Sequence, residues 1–151
     1  MEFIEEKINE ALREWLWSNG FTEVDIYGLE NYCFYDVDEH YIGYSLLESE
    51  KNICTWNKFF IEELDCPVEM DIFYTSFLHE LGHAMTWDFL TEEEQNFPIE
   101  GLSNEEYFHL PKEIAASNWA IEFIRTNLPA VEDLVNSVDK IFLEIENLFR
   151  D

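Results

Sequence analysis

The chain has 151 residues, enough for one domain with a hydrophobic core, and 47% of its residues are hydrophobic and 17% aromatic. This composition excludes an intrinsically disordered protein despite a formal net charge of −26, which arises from 34 acidic and 8 basic residues. Acidic residues are spread along the chain, and such a surface repels nucleic acid and anionic membranes. We expect no direct nucleic-acid or membrane binding, and a basic partner or substrate unless the charge only serves solubility.

The cysteines and the first residues bear on the compartment. Cys33, Cys54 and Cys66 form an odd set without a Cys-x-x-Cys pair, which predicts neither a disulfide framework nor a zinc ribbon. Met1-Glu2-Phe3 opens an acidic amphipathic segment rather than a signal peptide, and no apolar run approaches a membrane span. These features predict a cytoplasmic protein.

The first half of the chain predicts a helix and then a small sheet. Apolar residues recur at helical spacing over 3–18 and stop at Asn19-Gly20, which is typical of a helix end. Aromatic and β-branched runs near 24–27, 32–37 and 41–47 predict two or three short antiparallel strands, the last two forming a hairpin. We interpret the acidic turn at Asp38-Glu39-His40 as solvated rather than as a metal cluster.

Residues 53–64 fit either a strand followed by a helical turn or one short helix. If the chain is an enzyme that acts on extended peptides, either 41–45 or 53–56 could be the edge strand that binds the substrate by strand addition. Asp65-Cys66-Pro67 breaks the chain before a helix at about 70–89.

The second half is predicted to be helical. A polar connection over 91–111, with a helical turn near 104–108, is long enough to cover an active site. A helix begins near Pro111 and ends before Pro129, and a last, core-facing helix runs over about 130–149. No linker divides the chain, so we predict a single α+β domain over 1–151: an N-terminal helix, about three antiparallel strands, and three long helices.

The stretch His79-Glu80-Leu81-Gly82-His83 lies within an apolar run from 72 to 85. Two histidines four residues apart project from one face of a helix and can share a zinc ion, and Glu80 between them can accept a proton from bound water. This is a metallopeptidase signature. The alternative is a pair of core histidines satisfied by hydrogen bonds, but burying both on an apolar helix without a ligand is costly.

A catalytic zinc site needs a third protein ligand. The metzincin spacing is excluded because Thr86 and Phe89 stand where a glycine and a histidine are required, and Asp88 is about half a turn out of phase with His79. Glu113 lies on a separate helix and is followed by small alanines that permit close approach. An acidic residue in a first helical turn is also common for dipole reasons, so position alone leaves the role of Glu113 open.

The segment Glu113-x-x-Ala116-x-x-Trp119-Ala120, about 30 residues after the first motif, resembles the Glu-x-x-Ala-x-x-Phe-Ala motif of the ImmA/IrrE-type metallopeptidases. These are small gluzincin-like proteins, frequent in phages and mobile elements, that often act on repressors or other regulators. The similarity covers roughly 40–125, with Trp119 in place of the usual Phe. It implies a zincin-like fold, zinc ligation by His79, His83 and Glu113, and Glu80 as the general base.

Two further expectations concern the reaction. A donor to the tetrahedral intermediate is required, and His109 and Tyr107, with Tyr74 as a weaker choice, are the candidates. The rival to an endopeptidase is an acidic binding or inhibitor protein that mimics nucleic acid or sequesters a basic partner. A third interpretation combines the two, as a peptidase-like scaffold that binds its target without cleaving it.

Overall fold

The structure, a computed structural model, describes residues 2–29, 34–44, 58–68 and 70–148. Its elements, in chain order, are α1 (Glu2–Ser18), β1 (Asp25–Leu29), β2 (Phe34–Asp36), β3 (Tyr41–Tyr44), a π-helical turn (Lys58–Glu63), α2 (Ile72–Thr86), a 3-10 turn (Trp87–Phe89), α3 (Glu92–Gln95), α4 (Asn104–Phe108), α5 (Pro111–Thr126) and α6 (Leu128–Leu148). The α+β class, the three strands and the long helices are confirmed.

Helix α1 ends where the sequence predicts, because Gly20 adopts a φ of +86° that stops the helix. Its buried face carries Ile8, Leu12, Trp15 and Leu16 and packs on α6 and β1. The Trp15 indole donates a hydrogen bond of 2.7 Å to the carbonyl oxygen of Ala130 at the start of α6. Helices at opposite ends of the chain therefore share one core.

The sheet has the order β1-β3-β2, and its pairing corrects the antiparallel prediction for one strand. Strands β2 and β3 form the expected antiparallel hairpin, with Tyr35 opposite Ile42. Strand β1 instead runs parallel to β3, with Ile26 opposite Ile42. Three of the four β3 residues are buried, so this strand takes the central position. Alternation along a strand indicates its buried face but neither its neighbour nor its direction, which is why the prediction was wrong for β1.

The predicted substrate-binding edge also changes. Because β3 pairs on both sides, the segment near Tyr41 is the central strand and offers no edge. Among the described strands, β2 is the edge strand that packs on α2. The other predicted edge, 53–56, lies outside the described residues, as do Cys33 and Cys54.

Helix α2 is the centre of the molecule. It begins at Asp71, whose side chain accepts a hydrogen bond of 3.0 Å from the amide of Phe73. Every residue from Phe73 to His83 is buried, because β2 and β3 cover one side of the helix and α5 another. The predicted helix at 70–89 is therefore confirmed, with its last turn tightened to 3-10 geometry.

The connection between α2 and α5 contains two short helices rather than one. Both begin with a capping box, Thr91 with Glu94 in α3 and Ser103 with Glu106 in α4. The α4 turn was expected, and α3 was missed although its Thr-x-x-Glu sequence is the same signal. No helix among the described residues is long and apolar enough to cross a membrane.

Candidate metal centre

The site lies between α2 and α5. His79 and His83 project from one face of α2 with ring centroids 4.6 Å apart, and Glu113, in the first turn of α5, faces both of them. The three side chains are almost fully buried, with His79 4%, His83 9% and Glu113 3% exposed. A buried carboxylate against two buried imidazoles requires either hydrogen bonds or a metal ion to offset its desolvation.

The donor atoms of these residues converge. His79 Nε2 lies 2.9 Å from Glu113 Oε1, and His83 Nε2 lies 3.3 Å from the same oxygen and 3.1 Å from Oε2. Ligand atoms bound tetrahedrally to one zinc ion at about 2.0–2.1 Å are about 3.3–3.4 Å apart. The distances from Glu113 to the two imidazoles therefore lie within a few tenths of an ångström of those around a zinc ion, and two imidazoles with one carboxylate are a donor set that can hold zinc.

Ser117, one turn after Glu113 on α5, fixes the orientation of the first histidine. Its buried hydroxyl oxygen lies 2.8 Å from His79 Nδ1. While Nε2 donates to the carboxylate of Glu113, Nδ1 accepts a hydrogen bond from this hydroxyl. With a metal on Nε2, the Nδ1 proton would instead be donated to the Ser117 oxygen, which leaves the Nε2 lone pair for the ion. The sequence analysis missed Ser117, although its spacing of four residues from Glu113 is the helical signal that identifies it.

Gly82 sets the distance between the two helices. A Cβ atom at this position would lie 2.2 Å from the carbonyl oxygen of Ala116 and 2.8 Å from its carbonyl carbon. Because both atoms belong to the backbone, no change of side-chain rotamer would relieve the contact. The glycine of the first motif and the alanine of the second are thus in direct contact. This close approach of α2 and α5 brings Glu113 to the histidines.

The pKa values follow from burial and mutual contact. Burial lowers the pKa of His79 below 6.5. Burial also acts to lower the pKa of His83, but the hydrogen bond and charge of Glu113 and the charge of Glu80 outweigh it and raise the value. Burial acts to raise the pKa of Glu113, and its hydrogen bonds with both histidines reverse this effect and hold the pKa well below 4.5. The carboxylate of Glu113 is therefore ionised at neutral pH.

Glu80 lies beside the ligands at the wall of a cavity of about 250 Å³. One donor atom each from His79, Glu80 and His83 lie within 4.8 Å of one another. The remaining wall comes from the β2 region, the 3-10 turn, α4 and the first turn of α5. Its residues, besides Glu80, His83 and Glu113, are Phe34, Tyr35, Val37, Trp87, Tyr107 and Lys112.

Two tyrosines line this cavity. Burial, the charges of Glu113 and Glu80, and a hydrogen bond to Glu113 raise the pKa of Tyr107. Burial and the charges of Asp88 and Asp36 raise the pKa of Tyr35 to about 12. Both phenols therefore stay protonated, and the Tyr35 hydroxyl is paired with Nδ1 of His40. Tyr107 was a sequence candidate. Tyr35 was missed because the register of β2 decides on which side of the sheet its side chain lies.

The structure places the other candidates elsewhere. His109 is not among the residues that line this cavity. Its Nε2 pairs with Glu63 at 2.9 Å and its Nδ1 lies 2.6 Å from the carbonyl oxygen of Glu105, so it belongs to a separate groove of about 540 Å³. Tyr74 donates to Asp139 and to the carbonyl oxygen of Val135 within the core.

Asp88 and the Asp38-Glu39-His40 turn also stand apart from the ligands. Asp88 lies in the 3-10 turn near Tyr35 and is not among the residues that line the cavity. Glu39 and His40 are exposed in the turn that joins β2 to β3, as a solvated turn requires.

No protein-family model matches the chain, and no curated protein and no solved structure matches it either. The resemblance to the ImmA/IrrE-type metallopeptidases therefore stays a prediction based on the two motifs. The function is therefore inferred from the positions and the chemistry of the site residues.

Proposed function

We propose that the protein is a zinc-dependent, gluzincin-like metallopeptidase that hydrolyses internal peptide bonds. The observation that carries this proposal is the convergence of His79, His83 and Glu113 on one point, with Glu80 beside it in an open cavity. Two satisfied core histidines would need neither the cavity nor a second carboxylate at its wall. An open position next to three protein ligands is the arrangement of catalytic rather than structural zinc sites.

The residues present would hold the ion through His79 Nε2, His83 Nε2 and a carboxylate oxygen of Glu113. Bound zinc supplies Lewis-acid polarisation of the peptide carbonyl and lowers the pKa of a water molecule. Glu80 accepts the proton of the attacking water and passes it to the amine of the leaving peptide. Tyr107, which stays protonated, donates to the oxyanion that forms on the substrate, and Tyr35 is the second candidate for this role.

Strand β2 supports the binding of an extended substrate. Its outer edge is not paired with any described strand, and the same strand supplies Phe34 and Tyr35 to the cavity wall. A peptide added to this edge would align its backbone with the catalytic groups, because strand addition fixes register through main-chain hydrogen bonds. The charge of −26 favours a substrate, such as a regulatory protein, with basic segments around the cleaved bond.

The decisive variant is Glu80→Gln, tested with zinc-loaded protein on a mixture of proteome-derived peptides. We expect stoichiometric zinc in wild type and variant, and a loss of cleavage rate of about 10²–10⁴-fold in the variant, because the base is gone while the ligands remain. Glu122→Gln, an exposed change on α5, is the matched control and keeps full rate. Unchanged cleavage by Glu80→Gln would overturn the mechanism.

The net charge also supports the rival, an acidic protein that binds a basic target on a peptidase-like scaffold without turnover. Its test uses the same zinc-loaded protein with a defined oligolysine peptide. Salt-sensitive binding together with stoichiometric zinc and no product from any peptide favours this rival over the peptidase.

A further inference from the structure

Lys112 lies at a position where electrostatics disfavours a positive charge. It follows Pro111 in the first turn of α5 and precedes Glu113. The amino-terminal end of a helix carries a partial positive charge, which disfavours a cation and favours an anion. In a chain with 34 acidic and only 8 basic residues, a lysine at this position needs another reason, and its side chain lines the metal cavity.

Three of the other described basic side chains, including Arg125, are held by surface carboxylates, whereas Lys58 and Lys140, like Lys112, form no ion pair with a described residue. Lys7 pairs with Glu144, and Arg13 pairs with Asp25. Lys112 forms no ion pair within the part of the chain that the structure describes, and it is half-buried. The pKa of His83 is raised overall, but the charge of Lys112 acts against this rise, as burial does more strongly. The ammonium group is thus close to the ligands and available to a ligand of opposite charge.

The charges of the loaded site favour an anion next to Lys112. A divalent ion offsets the carboxylates of Glu80 and Glu113, and Lys112 then leaves the cavity with a net positive charge. Asp36 and Asp88 act on Tyr35 from outside this lining, and exposed charges farther than about 8 Å are largely screened at physiological salt. A carboxylate that enters the cavity meets the ammonium group of Lys112, which lines the wall without an ion pair among the described residues.

We propose that Lys112 forms a carboxylate-binding subsite beside the metal centre, so that the substrate presents a carboxylate next to the bond that is cleaved. This inference rests on the proposed zinc site and deepens it. The carboxylate belongs either to an acidic side chain beside an internal bond, or to the end of the substrate chain, in which case the cleaved bond is the last one of the chain. Basic segments of the substrate lie outside the cavity, against the acidic surface.

Three small thiol compounds test the subsite without turnover, because a thiolate anchors each of them on zinc. Mercaptoacetyl-alanine amide is neutral, mercaptoacetyl-aspartate amide carries a side-chain carboxylate, and mercaptoacetyl-alanine carries a terminal carboxylate. Their Kd values are measured by calorimetry on the zinc-loaded full chain. We expect at least one carboxylate compound to bind about tenfold more tightly than the neutral amide, and the tighter of the two identifies the source of the carboxylate.

The variant Lys112→Glu should reverse this preference, so that both carboxylate compounds bind more weakly than the amide. A glutamate is favoured in the first turn of a helix, so the variant is expected to fold. Lys58→Glu, which makes the same charge change at the separate groove lined by His109, is the matched control and keeps the wild-type preference. The ratio of Kd values cancels any general change in zinc affinity.

The outcomes separate the two proposals. Stoichiometric zinc with equal binding of all three compounds, or a preference that survives in Lys112→Glu, overturns the subsite and leaves the zinc site standing. A chain that holds no zinc after reconstitution overturns both the proposed function and the subsite that depends on it.

Discussion

The metal cavity has two walls that are built differently. The ligand wall, formed by His79, His83 and Glu113 on α2 and α5, is buried and tightly packed. The substrate wall, formed by the β2 region and Tyr107 of α4, is half-exposed and rests on a three-residue strand and a five-residue helix. The ligand wall is thus rigid through backbone contact, whereas the substrate wall consists of side chains on short elements that solvent reaches.

This difference separates the two tasks of the site. Metal affinity depends on distances that must be kept within a few tenths of an ångström, and the long helices keep them through Gly82 and Ser117. Recognition of a substrate needs access and donors rather than a closed cage, and short capped elements supply them. Changes in the ligand wall should therefore alter zinc binding, and changes in the substrate wall should alter turnover at constant zinc.

The largest effect is expected from Tyr107→Phe. Loss of one oxyanion donor costs about 10²–10³-fold in kcat, and the rate is measured at saturating zinc because Tyr107 also hydrogen-bonds Glu113. Steady-state kinetics on a cleaved peptide, with Tyr35→Phe measured in parallel, assign the donor. If only Tyr35→Phe lowers kcat, the roles of the two tyrosines are exchanged. If either variant loses zinc, the two walls do not have separate tasks.

A smaller effect is expected from Gly82→Ala. The new methyl group would meet backbone atoms of Ala116, and overpacking of this kind costs about 1–3 kcal/mol, or roughly fivefold to 150-fold in an equilibrium constant. An alanine would otherwise stabilise a helix by about 1 kcal/mol, so a fall in stability has a steric origin. Thermal unfolding of the metal-free protein and zinc titration measure the two consequences. A more stable variant with unchanged zinc affinity would show that the helices are not in contact at this position.

Ser117→Ala tests the second support of the ligand wall. Removal of an outer-shell hydrogen bond to a ligating histidine weakens metal affinity by about 10–100-fold, and Ser117→Thr, which keeps the hydroxyl, should restore part of it. Zinc competition with a chelator gives the affinities. Equal affinities of the alanine variant and the wild type would remove Ser117 from the site.

The smallest effect concerns pH. The pKa of His83 is raised above 6.5 in the metal-free protein, so protons compete with zinc increasingly as the pH falls through this raised value. We expect the apparent zinc affinity to fall by about tenfold per pH unit once this single group titrates. The same chelator competition at pH 8, 7 and 6 measures it. An affinity that stays constant down to pH 6 would mean that no imidazole with a raised pKa takes part in binding.

The sequence predicts the ligand wall much better than the substrate wall. Helical spacing turns sequence separation directly into direction, and it predicts that His79 and His83 share one face of a long helix. Glu113 was nominated through the resemblance of its motif, since its position alone left its role open. Tyr35 is different, because a shift of one residue in β2 would turn it to the other face of the sheet. The register with Ile42 that decides this is a long-range property, as is the parallel pairing of β1.

Lys112 and His109 illustrate the same limit. Both flank the start of α5, and nothing in their local sequence indicates that one lines the metal cavity while the other pairs with Glu63 of the π-helical turn. That outcome depends on how α4 and the turn pack together. The folded chain therefore adds the cavity wall to a ligand set that the motifs already predict.

The most direct test of the three-residue zinc site compares two carboxylates. Glu113→Gln and Asp88→Asn remove one negative charge each, and only the first residue faces His79 and His83. Zinc affinity of the purified full chain is measured by chelator competition for the wild type and both variants. The account predicts tight stoichiometric binding by the wild type and Asp88→Asn, and at least tenfold weaker binding by Glu113→Gln. Equal binding by Glu113→Gln and the wild type, or a loss confined to Asp88→Asn, would contradict it.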